Sequence, residues 1–565
     1  MRFCNPIIPG FYPDPSICRY GNDYYLVTSS FGYVPGIPIF HSTNLIEWKQ
    51  IGYVLSRPNQ IPLGEGKNTG LSVIASGIYA PTIRYYNGWF YVISTNVTAG
   101  INCIVRAQDP AGPWTDPLIL EWGGIDPSLL FDNDGKVYLT GTGTVNELPG
   151  IYQAEIDIET GCLCSPRRRI WQGTGGKYPE GPHLYHIDAW YYLMIAEGGT
   201  EYGHMETIAR STSPWGPFES CPYNPILTHR STDEPIQSVG HGDLIQAHDG
   251  SWWMVHLGVR PHGYPPVHHL GRETFLAPVQ WDKNGWPRVG VDGRTFLEME
   301  GPRFYQNNTS DSPGKDKNSA VFRDDFDGIA LSSPWCTLRN VPPGILSLTE
   351  HPGWLILRGT AATLDDALPM AFVGCRQRHF SCRVRTLITF VPLHAGEEAG
   401  LVVYMSERFY YELALCKLQE TTYQALRSDE AGGSLIFRRR IGSLQKVETL
   451  LPLTVPSLEL WIEATEETYR FGYRLTDETL YPSGGESPHL LSSAVFSEKP
   501  EGLAVLQSQT GSVPAVHWIG EGETRLLSTE VAGGFTGIFF GLYATGNGKA
   551  CQSPASFDFF EYQPE

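Results

Sequence analysis

The amino-acid sequence predicts an all-β protein, a five-bladed β-propeller followed by a β-sandwich of the jelly-roll or concanavalin-like kind. Helical periodicity is nearly absent, because short aromatic and β-branched runs alternate with Gly, Asn and Asp turns. One hairpin pattern recurs five times before residue 300, and short alternating strands resume after residue 320. We therefore predict a propeller over 1–300, a polar linker over 301–320 and a sandwich over 321–565.

The recurring pattern is a short strand, a polar turn and an aromatic strand, which is typical of a β-hairpin. The copies begin about 46 to 66 residues apart, which suits four-stranded blades with loops of variable length. They occupy residues 14–27 (DPSICRYGNDYYLV), 80–92 (APTIRYYNGWFYV), 126–139 (DPSLLFDNDGKVYL), 180–193 (EGPHLYHIDAWYYL) and 241–254 (HGDLIQAHDGSWWM).

The first residues of the five copies should meet at one mouth of the propeller, because inner strands surround the propeller axis. They are Asp14, Ala80, Asp126, Glu180 and His241. Asp before Pro is a common turn opener, which explains Asp14 and Asp126 singly. It does not explain why Glu180 and His241 share their register, so we interpret the carboxylates as a candidate catalytic group.

Three convergent carboxylates suit glycoside hydrolysis, which needs one protonated carboxyl group and one ionised carboxylate. Inverting enzymes hold this pair roughly 6.5–9.5 Å apart, and retaining enzymes hold it about 5–5.5 Å apart. Asp14 and Glu180 fall on blades one and four, which favours the wider spacing and predicts inversion. A negative charge on Asp126 would raise the pKa of Glu180 and keep it protonated as general acid, or Asp126 could bind a sugar hydroxyl.

Charge and composition exclude several classes of partner. The net charge of -19 disfavours nucleic acid and anionic lipid, and no stretch is long enough to span a membrane. The first residues, 1–6, contain no apolar signal-peptide core, which predicts a cytoplasmic protein, or a secreted one if a leader was removed. The oligomeric state, including a homo-oligomer, is left open. His241 could be a metal ligand, acting directly or through water, a water-holding residue or a packed histidine.

Seven short motifs add a further indication. They are residues 5–16 (NPIIPGFYPDPS), 124–128 (GIDPS), 178–184 (YPEGPHL), 196–200 (AEGGT), 206–211 (ETIARS), 239–243 (VGHGD) and 270–274 (LGRET). With these motifs the chain resembles glycoside hydrolase family 43, and is most similar to its two-domain β-xylosidase and α-L-arabinofuranosidase branch. The resemblance covers essentially the whole chain.

The resemblance implies a five-bladed propeller, inversion, and a catalytic group of Asp14 as base, Asp126 as pKa modulator and Glu180 as acid. It implies no required cofactor, although calcium lies near the histidine matching His241 in some relatives. It also implies that Arg272 binds substrate hydroxyls.

The resemblance also suggests residues that line the substrate pocket. Phe31 matches an aromatic wall of the nonreducing-end pocket. Tyr79 and Ile125 stand where xylosidases of this branch often have Trp and Phe, which leaves xylose and arabinose both open. In the predicted sandwich, Phe535 matches a residue on a loop that closes the active site, and its flanking glycines permit such a projection. A separate lectin-like sugar site on the sandwich is another hypothesis.

These observations predict a β-xylosidase that removes single xyloses from the nonreducing ends of xylo-oligosaccharides. An α-L-arabinofuranosidase acting on arabinoxylan or arabino-oligosaccharides, or one enzyme with both activities, is the first alternative. A non-catalytic carbohydrate-binding propeller would leave the three carboxylates unexplained. A retaining glycosidase of the fructan-cleaving type would release a product of the opposite anomeric configuration.

Overall fold

The computed structural model describes residues 1–62, 73–143, 148–305, 321–417, 433–453, 455–476 and 515–565. These residues form strands and loops, with one short α-helix, α1 (Thr529–Ala532), and short 3-10 turns at Pro58–Gln60, Val73–Ala75 and Thr524–Leu527. The predicted all-β class is confirmed. In the described ranges, no helix is long and apolar enough to cross a membrane.

The strands up to residue 300 are short and separated by turns. They are β1 (Arg2–Cys4), β2 (Ser16–Tyr20), β3 (Asp23–Val27), β4 (Tyr33–Val34), β5 (Gly36–Ser42), β6 (Lys49–Leu55), β7 (Thr82–Tyr86), β8 (Trp89–Asn96), β9 (Ile101–Ala107), β10 (Leu118–Leu120), β11 (Ser128–Phe131), β12 (Val137–Thr142), β13 (Ile151–Glu155), β14 (Arg168–Trp171), β15 (Glu180–Ile187), β16 (Trp190–Glu197), β17 (Met205–Ser211), β18 (Glu219–Ser220), β19 (Leu227–Thr228), β20 (Gln237–Gln246), β21 (Trp252–Val259), β22 (Glu273–Trp281), β23 (Pro287–Val289) and β24 (Glu298–Glu300).

Five antiparallel sheets follow one another through this part of the described chain. Their strand orders are β2-β3-β5-β6, β7-β8-β9-β10, β11-β12-β13-β14, β15-β16-β17-β18 with β19 beside β17, and β20-β21-β22-β23. The first strand of each sheet contacts the first strand of the next, and β20 contacts β2. These contacts close a ring of inner strands, as in a propeller. The pairing of β1 with β24 joins the two ends of this part of the chain.

A buried carboxylate joins four of the five sheets near the axis. Asp243, on β20, accepts hydrogen bonds from Ser16 Oγ at 2.7 Å, Arg84 Nη1 at 2.8 Å and Tyr185 OH at 2.7 Å. Burial opposes ionisation of Asp243, but the Arg84 guanidinium holds its pKa well below the usual range. The ion pair therefore ties inner strands together beneath the mouth.

The second part of the chain is built from fifteen further strands in the described residues. They are β25 (Phe322–Asp324), β26 (Thr337–Leu338), β27 (Leu346–Ser347), β28 (Leu355–Arg358), β29 (Ala371–Arg376), β30 (Cys382–Thr389), β31 (Glu398–Ser406), β32 (Phe409–Cys416), β33 (Gly433–Ile441), β34 (Leu444–Leu453), β35 (Ser457–Ala464), β36 (Thr468–Arg474), β37 (His517–Glu523), β38 (Phe539–Thr545) and β39 (Pro554–Pro564).

Most of these strands form two sheets that enclose one apolar core. The first has the order β27-β28-β39-β30-β35-β36-β37, with β25 also paired to β39, and the second has the order β29-β38-β31-β32-β33-β34. Alternate side chains of both sheets, among them Val384, Leu401, Phe437, Phe540 and Phe557, meet in a buried cluster. Two sheets with a shared core form a sandwich.

The two parts of the chain share strand pairing and an apolar core. β26 pairs with β4, so a strand from the second part hydrogen-bonds to the first. Beside this pairing, Phe11, Phe31 and Tyr33 pack with Tyr404 and Phe539. The exact domain boundaries stay a prediction, and residues 306–320 of the predicted linker lie outside the described residues.

Candidate active site

One end of the inner-strand ring collects the first residues of the hairpins. Asp14 and Asp126 lie shortly before β2 and β11, Ala80 lies before β7, and Glu180 is the first residue of β15. His241 differs, since it lies within β20, where the pairing with β21 shifts register between Gly240 and Asp243. A β-bulge of this kind re-aims a side chain, so His241 still reaches the site from inside a strand.

Asp14 is held as a buried, ionised carboxylate. Arg272 donates from Nη1 to its Oδ1 at 2.7 Å, and Ser29 Oγ donates to its Oδ2 at 2.5 Å. Burial alone would raise the pKa of Asp14, but the charges of Arg272 and His241 and the Ser29 bond bring it below its usual range. His241 Nδ1 lies 3.9 Å from Asp14 Oδ1. Asp14 thus has the charge state of a base.

Glu180 has the opposite protonation state. Its burial and the nearby charges of Asp126 and Asp14 raise its pKa to about 8, so it carries a proton at neutral pH. Burial also raises the pKa of Asp126 to about 6. Asp14 and Glu180 therefore have pKa values shifted in opposite directions within one site, which is the arrangement expected of a general base and a general acid. The wide distance between the Asp14 and Glu180 carboxyl groups that suits inversion stays a prediction.

Asp126 fixes the backbone next to Glu180. Its Oδ2 accepts a hydrogen bond from the Gly181 N–H at 3.2 Å. Gly181 has φ +55, and a Cβ there would lie 3.1 Å from the His241 ring, so both features favour glycine. Asp126 consequently acts on Glu180 through position as well as through charge.

Several residues around this mouth have a left-handed backbone. Asp14, Phe31, Asp126, Tyr178 and His241 all have φ between +51 and +54. This conformation is unfavourable for residues with a Cβ, and its occurrence at several positions of one site is typical of functional regions.

An aromatic wall encloses Arg272. The Arg272 guanidinium carbon lies 5.5 Å from the Phe31 ring centroid and 5.8 Å from that of Phe535. The Phe31 and Tyr79 rings lie 5.1 Å apart, and the Tyr79 and Phe535 rings 6.5 Å apart. Burial raises the pKa of Tyr79 to about 12, and the charges of Arg272 and all three carboxylates also act on it. Four predicted pocket residues therefore meet beside the carboxylates.

The fifth predicted pocket residue, Ile125, is placed by its backbone. Its N–H donates to Thr142 Oγ1 at 2.7 Å, directly before Asp126. Its side chain is partly exposed. Contact of Ile125 with a sugar stays a prediction.

Comparisons with known proteins decide the family. The family profile described as "Glycosyl hydrolases family 43" matches residues 3–287, and the profile "Beta xylosidase C-terminal Concanavalin A-like domain" matches residues 323–502 and 508–563. The chain belongs to glycosyl hydrolase family 43. Inversion of the anomeric configuration is characteristic of this family.

Similar family 43 proteins cover almost the whole chain. One is the "Non-reducing end alpha-L-arabinofuranosidase BoGH43B" of Bacteroides ovatus, 40% identical over 99% of this chain and 94% of its own length. Another is the "Xylosidase/arabinosidase" of Butyrivibrio fibrisolvens, 37% identical over 98% of each chain. The solved structure "Bacteroides ovatus Xyloglucan PUL GH43B" has a TM-score of 0.84 at 38% identity and covers 100% of both chains.

The surroundings of His241 bear on the calcium that the family resemblance suggests. Calcium takes six to eight oxygen ligands. No group of three or more His, Cys, Asp or Glu side chains that could hold a metal is present among the described residues. His241 instead has its ring against Gly181 and near Asp14. Calcium near His241, bound directly or through water, stays a prediction.

Several residues of the family 43 site carry no predicted role in the sequence analysis. Ser29 donates a hydrogen bond to Asp14. Thr200 Oγ1 accepts a hydrogen bond from Arg272 Nη1 at 3.3 Å. Glu206 is fully buried and accepts from the Gly242 N–H at 2.7 Å, directly after His241. Burial raises the pKa of Glu206 well above its usual range. Thr200 and Glu206 both lie in motifs of the family resemblance, which is the signal that could have identified them.

Proposed function

We propose that this protein is an inverting exo-glycosidase that releases single xyloses from the nonreducing ends of xylo-oligosaccharides. The observation that carries the proposal is one site in which Arg272 holds Asp14 ionised while Glu180, next to the Gly181 N–H that Asp126 accepts from, has a raised pKa. In the proposed reaction Asp14 takes a proton from water as the water attacks the anomeric carbon. Glu180 gives its proton to the leaving oxygen on the opposite face, so the C–O bond to water forms as the glycosidic bond breaks, the carbon inverts, and the proton gained by Asp14 balances the one lost by Glu180.

The exo mode is supported by the closed side of the site. Phe535 comes from the second part of the chain and stands beside Phe31 and Arg272, which belong to the first. A pocket walled from two sides accepts a chain end more readily than the middle of a polymer. Arg272 has an unpaired buried Nε and two aromatic rings beside it, which suits binding of a sugar with hydroxyl groups.

α-L-Arabinofuranose is the second candidate substrate, on two observations. Tyr79 occupies a wall position where the family resemblance implies Trp in many xylosidases, and the similar protein of Bacteroides ovatus is named an arabinofuranosidase. The Butyrivibrio fibrisolvens relative carries both activities in its name. The same three carboxylates can serve either pentose, so one enzyme with both activities belongs to this second candidate.

Parallel kinetics test the proposal. We expect kcat/KM on 4-nitrophenyl β-D-xylopyranoside to exceed that on 4-nitrophenyl α-L-arabinofuranoside, and proton NMR of the first product to show inversion. A strong preference for the arabinofuranoside would replace the first candidate by the second. Release of a product with retained configuration would contradict both, and sugar binding without turnover would indicate a non-catalytic propeller.

The pH profile should report the proton on Glu180. The acid must be protonated to act, and its raised pKa of about 8 keeps the proton on up to that pH. We therefore expect kcat/KM to stay high through neutral pH and to fall as the pH rises through about 8. The alkaline fall should be weaker with a 2,4-dinitrophenyl leaving group, which needs little protonation. An alkaline limb centred near pH 5 would contradict the assignment.

A cytoplasmic location and independence from added cofactors remain part of the proposal. Small oligosaccharides are the proposed partners, with no nucleic acid or membrane partner. Activity after dialysis against a chelator, with and without added calcium, measures the metal requirement directly.

A further inference from the structure

Tyr178 is a large aromatic residue that the proposed reaction leaves unused. It lies two residues before Glu180, and it is 65% exposed. Its φ of +52 places it with Asp14, Phe31, Asp126 and His241 in the left-handed region. Each of those four residues already has a place in the site. An aromatic side chain is thus held in an unfavourable backbone conformation with most of its surface in water.

The Tyr178 ring has a defined support on one side. A Cβ at Gly199 would lie 3.1 Å from Tyr178 Cδ2, so the ring stands against the bare backbone of that glycine. The Lys177 ammonium lies 5.6 Å from the ring centroid and pairs with Glu201. The Gly198 N–H also donates to the Lys177 carbonyl at 2.8 Å. These contacts support the ring, which still keeps most of its surface in water.

The supporting loop leads directly to the catalytic group. Thr200 follows Gly199, and its Oγ1 accepts a hydrogen bond from Arg272 Nη1 at 3.3 Å. The same Nη1 donates to Asp14 at 2.7 Å. Tyr178 is therefore joined to the site both by the chain, through Glu180, and by the loop, through Arg272.

We propose that the exposed face of Tyr178 is a stacking platform for the sugar on the leaving-group side of the bond that is cleaved. The inference rests on the proposed function. The released pentose is enclosed by Phe31, Tyr79 and Phe535, whereas Glu180 must face the oxygen of the leaving sugar. An exposed aromatic ring two residues before the general acid can thus meet the leaving sugar and cover its C–H groups.

The platform makes Tyr178 a residue that determines specificity for the leaving group. It should favour substrates in which a further sugar ring follows the cleaved bond. A substrate whose leaving group is a single atom gains nothing from it.

The test compares two substrates of the pentose that the wild-type enzyme cleaves, an oligosaccharide and the corresponding glycosyl fluoride. Tyr178→Ala should lower kcat/KM on the oligosaccharide about tenfold and leave the fluoride within about twofold. Tyr178→Phe should retain most of the activity on both, because the ring is kept. Tyr20→Ala is the matched control, since Tyr20 is 53% exposed and ends β2, a strand length away from Asp14.

Each other outcome is informative. If Tyr178→Ala loses kcat/KM equally on both substrates, Tyr178 only positions Glu180. If kcat/KM is unchanged on both, the ring does not contact the substrate. Either result overturns the platform. A wild-type enzyme that cleaves no pentoside would instead overturn the proposed function. Circular dichroism and the melting temperature of each variant confirm that the fold is kept.

Discussion

Replacing Glu180 by Ala or Gln lowers kcat on an unactivated oligosaccharide by about 10²–10⁴-fold, because the leaving oxygen then departs without a proton. The fold should persist. Glu180 is partly buried, and its ionisation is opposed by burial, Asp126 and Asp14, so a neutral replacement removes no favourable ion pair. The melting temperature should be equal to that of the wild-type protein or slightly higher.

The leaving group separates loss of the acid from general damage. With a 2,4-dinitrophenyl glycoside, the Glu180→Ala variant should recover most of its activity, and its alkaline pH limb near 8 should disappear. Glu159→Gln is a matched control, since that exposed residue pairs with Arg106 at the surface and should change neither kcat nor stability appreciably. Undiminished oligosaccharide hydrolysis by Glu180→Ala would end the assignment of the acid.

Replacing Asp14 by Asn should lower kcat by a similar factor, about 10²–10⁴-fold, because no carboxylate then accepts the proton of the attacking water. Here the leaving group should make no difference, since the water must lose its proton with any substrate. The contrast with Glu180→Ala on the dinitrophenyl glycoside is the decisive measurement. Wild-type turnover by Asp14→Asn would refute the role of Asp14 as base.

Asp14→Ala should also destabilise the fold, unlike the Glu180 variants. Arg272 is 7% exposed and donates two hydrogen bonds to Asp14. Loss of the carboxylate leaves a buried guanidinium without its counterion, at a cost of about 3–5 kcal/mol. Urea denaturation of Asp14→Ala and Glu180→Ala in parallel measures this difference, and equal midpoints would contradict the described pairing.

The sequence alone predicts the β-hairpins and the carboxylates that open them. Hairpins are local: alternating aromatic and β-branched residues set the strands, and Gly, Asn and Asp set the turns, all within about 14 residues. A repeat of such units places equivalent residues at equivalent points of the ring. For that reason Asp14, Asp126 and Glu180 could be selected together from their register, before any coordinates.

The tertiary structure decides which distant residues complete that group and what charge each carboxyl group holds. Arg272 pairs with Asp14 across 258 residues, and Phe535 reaches Phe31 from the other part of the chain. His241 lies inside β20, where a bulge that no hydrophobic pattern records re-aims its side chain. Such contacts depend on how sheets and loops pack over long sequence separations, and a pKa depends on the burial that this packing creates. The protonation state of each carboxyl group is therefore a property of the folded site rather than of any motif by itself.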